Sequence, residues 1–136
     1  MTDRQQVTTV RLLLVEDEEL IREATAEGLR GYGFEIVEAA NAEDAMRQID
    51  QDPRLGVIVT DVRMPGKLDG IDAALYARRR NPTIPVIVVS GCGMNYAARM
   101  EQFRPAAVFI DKPYQVARVA STAERMLGHA SAKQRP

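Results

Sequence analysis

With one cysteine in 136 residues, Cys92, the chain can form no internal disulfide, and no cysteine cluster points to zinc. Its one histidine, His129, lies near the C-terminal end, which excludes a histidine-rich metal site and makes a phosphodonor role there a poor fit. Tryptophan is absent and aromatic residues make up 5% of the chain. No apolar run approaches the ~18 residues that span a bilayer. Residues 1–9 are polar and lack the apolar segment of a secretory signal. A cytoplasmic protein without membrane contact is therefore expected. The formal net charge is −1, so no strong overall field attracts nucleic acid, and no direct nucleic-acid partner is expected.

What is present is one domain's worth of chain with an ordinary apolar fraction of 46%. Short apolar runs alternate with amphipathic stretches. Residues 10–15, 34–39, 57–60, 84–89 and 107–110 read as buried strands. Leu20, Ile21, Ala24 and Leu29 recur at helical spacing, and Gly31 and Gly33 mark that helix's end. Asn41 reads as an N-cap with Asp44 in the first turn, and Ala42, Ala45, Met46 and Ile49 form that helix's apolar side. A third helix runs through Ile71, Ala74, Leu75 and Ala77 to Asn81-Pro82. Residues 94–103 are expected to be helical, as are residues 114–127. Continuous apolar strands alternating with helices predict an α/β, flavodoxin-like doubly wound parallel sheet with strand order 2-1-3-4-5. The domain is expected over residues 9–128, with 1–8 and 129–136 as tails.

In such a sheet, ligands bind beyond the carboxyl ends of the strands. There the sequence places Glu16-Asp17 after strand one, Asp61 after strand three, Ser90-Gly91 after strand four and Asp111-Lys112-Pro113 after strand five. Carboxylates about 4 Å apart repel by roughly 4 kcal/mol per pair at an effective dielectric near 20, so three acids together call for a cation or a proton. Magnesium suits such hard oxygen donors. Glu16 and Asp17 would hold it directly or through water, Asp61 would serve as ligand and nucleophile, and Lys112 would offset charge on a phosphoryl group in transfer.

Leu14-Val15-Glu16-Asp17-Glu18, Val59-Thr60-Asp61-Val62-Arg63-Met64-Pro65, Asp69-Gly70, Val88-Val89-Ser90-Gly91 and Asp111-Lys112-Pro113-Tyr114 together resemble the receiver domains of two-component response regulators, over about residues 10–128. The resemblance implies that Asp61 accepts a phosphoryl group from a histidine kinase or a histidine phosphotransfer protein. It implies Mg2+ on Glu16, Asp17, Asp61 and the backbone carbonyl of Arg63. It makes Ser90 the switch hydroxyl, Phe109 the aromatic switch position, and Lys112 the lysine that contacts the phosphoryl group, with a cis bond to Pro113. The face formed by helix four, strand five and helix five would then change shape toward a downstream protein target or a phosphorylation-dependent homodimer. Such a protein catalyses only its own phosphorylation and slow dephosphorylation. Two features depart from the family: the segment from Asp61 to Gly70 is one residue longer than usual, as in some stand-alone receivers and hybrid-kinase modules, and Phe109 replaces the commoner tyrosine. Arg63 and Cys92 stand where the family tunes the lifetime of the phosphoryl group.

Other readings start from the same residues. Glu18 and Glu19 complement the start of the first helix. Ser90 could cap a turn. Arg78-Arg79-Arg80 reads as the solvated end of helix three. A phosphate hydrolase would use the same aspartyl chemistry, but Arg63 stands where its second acid would be. A receiver-like scaffold that takes no phosphate would not need the Asp17, Asp61, Ser90 and Lys112 set. A flavin carrier shares the fold class, but acids at the strand ends repel a flavin phosphate. The chain ends about where the fold ends, which leads to the expectation of no output domain.

Overall fold

The computed structural model describes residues 9–91 and 95–134, with side chains described through residue 128. Cys92 and the His129 side chain therefore lie outside the described residues. Among the described residues ten elements alternate: β1 (Arg11–Val15), α1 (Glu19–Arg30), β2 (Glu35–Ala39), α2 (Ala42–Gln51), β3 (Leu55–Asp61), α3 (Gly70–Arg80), β4 (Val86–Ser90), α4 (Ala97–Met100), β5 (Val108–Asp111) and α5 (Val116–Gln134). The strands form one parallel sheet in the order β2-β1-β3-β4-β5, as the alternation predicts. Among the described residues, no helix is long and apolar enough to cross a membrane.

The strand sequences explain the two-sided burial. Because side chains alternate across a strand, Leu12, Leu14, Val57, Val59, Ile87 and Val89 face one layer, where Ala26 and Leu29 of α1 and Val119, Ala120 and Ala123 of α5 meet them. Leu13, Val15, Ile58, Val86 and Val88 face the other, against Ala42, Ala45 and Ile49 of α2, Ile71, Ala74 and Ala77 of α3, and Phe103. Alanines on the inward faces let the helices lie close to the sheet. Each fully buried Leu or Val contributes about 1.5–3 kcal/mol of transfer free energy.

The caps fix where helices begin. Asn41 Oδ1 accepts from Asp44 N–H at 2.7 Å, as its position ahead of α2 suggests. At α3 the Asp69 carboxylate accepts from Asp72 N–H at 3.0 Å, and Asp72 accepts in return from Asp69 N–H at 2.9 Å.

Several sequence expectations shift. In α1 the buried residues are Thr25, Ala26 and Leu29, while Leu20 is 80% exposed and Ile21 41% exposed. The apolar spacing of Leu20, Ile21 and Ala24 thus marks the outward side of that helix's first turns. The helix expected over 94–103 is a single turn, Ala97–Met100, because Glu101–Pro105 turns back so that Phe103 enters the core. The last helix runs on to Gln134 instead of ending at 127. Arg78 is half-buried rather than solvated along its length. Its Nε donates to the Ile84 carbonyl at 2.6 Å, its Nη1 donates to the Pro105 carbonyl at 2.6 Å, and its guanidinium lies over Phe103. Arg80 stacks on Tyr76 and pairs with Asp50.

One ionic clamp ties α4 to the start of α3. Arg99 donates to Asp69 at 2.5 and 3.2 Å and to Asp72 at 3.1 Å. Burial pushes the Asp69 carboxyl up, but the Arg99 guanidinium and the Asp72 N–H outweigh it and hold it below the usual carboxylate range. The stabilisation from a depressed carboxylate is complete above its unfolded value, about pH 3.9, and is lost as the pH falls through the lower folded value. Urea unfolding should therefore show Arg99→Ala about 1 kcal/mol less stable at neutral pH, with the gap closing as the pH falls below about 4.

Candidate phosphoacceptor site

The parallel sheet brings the ends of β1, β3, β4 and β5 to one edge. At β1 the pairing extends past the strand, since Glu16 N–H donates to the Ala39 carbonyl at 3.0 Å. The Glu16 side chain then turns inward and is 3% exposed. Its Oε2 accepts from Glu18 N–H at 2.9 Å, which closes the turn into α1. Glu18 caps α1 without a side-chain bond, and Glu19 occupies its first turn. Asp17, partly exposed, stands beside them.

At the end of β3, Asp61 is 8% exposed. Its Oδ1 accepts from Val62 N–H at 2.7 Å and its Oδ2 from Lys112 Nζ at 2.5 Å. Lys112 Nζ also stands 3.8 Å from Glu16 Oε1. The Lys112 main chain is fixed as well, its N–H donating to the Ser90 carbonyl at 2.7 Å, and the Lys112–Pro113 bond is cis. Ser90, at the end of β4, is fully buried. Phe109 is paired with Val88 across β4 and β5, and its ring meets Tyr96 at 6.4 Å between centroids. Arg63 is exposed on the loop after β3.

The structure thus brings Glu16, Asp17, Asp61 and Lys112 together, with Ser90 joined to Lys112 through the main chain. One oxygen each of Glu16, Asp17 and Asp61 lies within 4.8 Å of the others. Burial pushes the Glu16 carboxyl up, as do the Asp61 and Asp17 charges, against the Glu18 N–H and Lys112. Burial alone would lower the Lys112 ammonium, but its bond to Asp61 raises it above the ordinary lysine value. Three carboxylates share one ammonium, and an oxygen-only donor set with this surplus of negative charge fits a divalent cation such as magnesium. Burial also raises the neighbouring Tyr114 hydroxyl, partly offset by a hydrogen bond with Thr25.

Two contributors carry weaker sequence signals. Arg22 Nη1 donates to the Glu16 carbonyl at 2.9 Å. Its only sequence mark is an arginine in phase with Thr25, Ala26 and Leu29 on the inward side of α1, where a charge needs a partner. Gly70 starts α3 directly against the Asp61 main chain, with its N–H donating to the Val62 carbonyl at 2.9 Å.

Residues 12–124 match the family described as the response regulator receiver domain. Over 104 residues the chain is 33% identical to a putative response regulator NtrX-like protein of Rickettsia typhi, covering 76% of this chain and 22% of that one. Over 127 residues it is 32% identical to the sensor kinase CckA of Brucella abortus, covering 93% of this chain and 13% of that one. The chain therefore spans less than a quarter of the length of these curated relatives. A receiver domain protein (CheY-like) of Methanospirillum hungatei JF-1 superposes with a TM-score of 0.82 at 20% identity, covering 93% of this chain and 99% of that one.

Proposed function

The chain belongs to the response regulator receiver domain family, and from that premise we propose that it accepts a phosphoryl group on Asp61 in a Mg2+-dependent reaction and signals by a change in its α4–β5–α5 face. The observation that supports this most directly is the Lys112 ammonium held on Asp61 Oδ2 at 2.5 Å beside the Glu16, Asp17 and Asp61 oxygens.

In the proposed reaction, a carboxylate oxygen of Asp61 attacks the phosphorus of a phosphohistidine. A P–O bond forms, the P–N bond to the donor imidazole breaks, and the electron pair leaves with the imidazole. Magnesium, held by Glu16, Asp17, Asp61 and the Arg63 carbonyl, would supply positive charge against the phosphoryl oxygens. Lys112 shifts from the carboxylate to a phosphoryl oxygen and keeps its charge-assisted bond. Glu16 sets the floor of the site and, with Lys112, keeps the acceptor oriented. The donor is a histidine kinase or a histidine phosphotransfer protein. The chain acts on itself and is not a turnover enzyme. Its surroundings would be the cytoplasm, where such donors face.

The new phosphoryl oxygens invite the Ser90 hydroxyl, and a Ser90 displacement opens room for Phe109 to turn inward. Phe109 lines a groove of about 550 Å³ with Tyr96, Met100, Arg104 and Ala107. Its movement would reshape that groove for a protein target or a second copy. Shifting the two states from 1:99 to 99:1 needs about 5.5 kcal/mol, within reach of two or three charge-assisted bonds together with a metal bridge.

The test is incubation with magnesium and acetyl phosphate followed by intact mass. One phosphoryl per chain is expected. Repeated release of phosphate from small monoesters would instead mark a hydrolase, and no gain at all would mark a scaffold. Lys112→Ala should retain the acceptor yet slow uptake about 10²–10³-fold, since a positioned charge facing the transition state is lost.

A further inference from the structure

We propose that Arg22 is a positioning residue for the metal-binding acids: it fixes the Glu16 main chain so that the Glu16 and Asp17 carboxylates face Asp61. The proposal rests on the magnesium reading above.

The turn after β1 is short, and three bonds govern its course. Glu16 N–H is held by Ala39 of β2, Glu16 Oε2 by Glu18 N–H, and the Glu16 carbonyl by Arg22 Nη1 at 2.9 Å. The first two do not reach the carbonyl of the peptide between Glu16 and Asp17. Arg22 holds that carbonyl, and with it the direction in which the Asp17 side chain leaves. Asp17 is the most exposed member of the trio, and among the described residues its side chain has no hydrogen-bond partner to aim it.

Arg22 is itself anchored. Its Nε donates to Glu38 Oε1 of β2 at 3.2 Å, its side chain is 17% exposed, and Arg30 Nη2 reaches the other Glu38 oxygen at 3.4 Å. The guanidinium thus spans β1, α1 and β2. A bare arginine beside a cation site would repel the ion. Pairing with Glu38 largely cancels that charge and leaves the directional hydrogen bond. Only a planar fork can donate to a carbonyl and a carboxylate from separate nitrogens at once; a lysine reaches one of them well.

Outer-shell groups that orient metal ligands typically account for 10–100-fold in affinity. The experiment is a Mg2+ titration followed by amide NMR on the full chain and on Arg22→Met, which keeps the buried stem, Arg22→Lys, Asp17→Asn and Arg11→Ala. Arg11 pairs with Asp52 and Glu35 at the opposite end of β1, so its loss destabilises the same strand away from the acids. Thermal melts confirm that each variant is folded. Expected are a Kd at least about tenfold weaker for Arg22→Met, an intermediate value for Arg22→Lys and an unchanged value for Arg11→Ala. Phosphoryl uptake by Arg22→Met should recover at high Mg2+. An unaltered Kd in Arg22→Met, or equal weakening in Arg11→Ala, overturns the proposal. Should Arg22→Met not fold, an unaltered Kd in Arg22→Lys does so. If the unsubstituted chain binds no Mg2+, or Asp17→Asn binds it equally well, the magnesium reading itself fails, and this proposal with it.

Discussion

Asp61→Asn is expected to gain no phosphoryl group from acetyl phosphate under conditions in which the unsubstituted chain gains one, read as intact mass. An amide oxygen is too weak a nucleophile, and among the described carboxylates it is Asp61 that accepts the Lys112 hydrogen bond, at 2.5 Å, while the likewise buried Glu16 stands 3.8 Å from the ammonium. The fold should barely register the change. The amide keeps one of the two bonds that Asp61 makes, to Val62 N–H or to Lys112, and removing one of three crowded negative charges compensates for the other. The net stability change should fall within about 1 kcal/mol, measurable by urea unfolding. Complete loss of uptake with an intact fold would assign the chemistry to this side chain; continued uptake would assign it elsewhere.

Gly70→Ala should do the reverse and damage the fold first. A Cβ placed on Gly70 would stand 1.6 Å from the Asp61 carbonyl oxygen and 2.4 Å from Thr60 Oγ1. The nearest obstacle is main chain, so no rotamer change relieves it. Either α3 withdraws, breaking the Gly70 N–H bond to Val62 and uncovering Ile71, or the end of β3 moves and takes Asp61 with it. Overpacking typically costs 1–3 kcal/mol, and a backbone obstacle places this substitution at or above about 3 kcal/mol. For a chain of this size that is a drop in Tm of roughly 10 °C or more. Thermal unfolding checks it, and phosphoryl uptake should fall with it.

Much of this is legible in the sequence. Five apolar runs of strand length, separated by helical patterns, leave little but a parallel sheet with helices on both faces. Once the sheet is parallel, the acids, the serine and the lysine that follow its strands must share an edge. Asn41 and Asp44 announce their cap because that interaction is local. The rest depended on partners distant in sequence. The outward turn of Leu20 follows from which side of α1 meets the sheet, and an amphipathic pattern with both Ile21 and Ala26 does not choose between sides. The burial of Arg78 depends on Ile84, Phe103 and Pro105, which arrive from other elements. Asp69-Gly70 reads as a helix start, yet nothing in those two residues reveals how near the Asp61 carbonyl lies. The reach of Arg22 toward Glu16 is hidden for the same reason.

The two open margins of the sheet bear on how copies of this chain could associate. Along β2, Glu35 and Glu38 are each engaged with arginines, Glu35 with Arg11 and Glu38 with Arg22 and Arg30. On the opposite margin, β5 is four residues long. A charged border on one side and a very short one on the other are both poor templates for adding a foreign strand. Self-association through a continuous intermolecular sheet is thereby disfavoured, and a pair of copies would meet helix to helix.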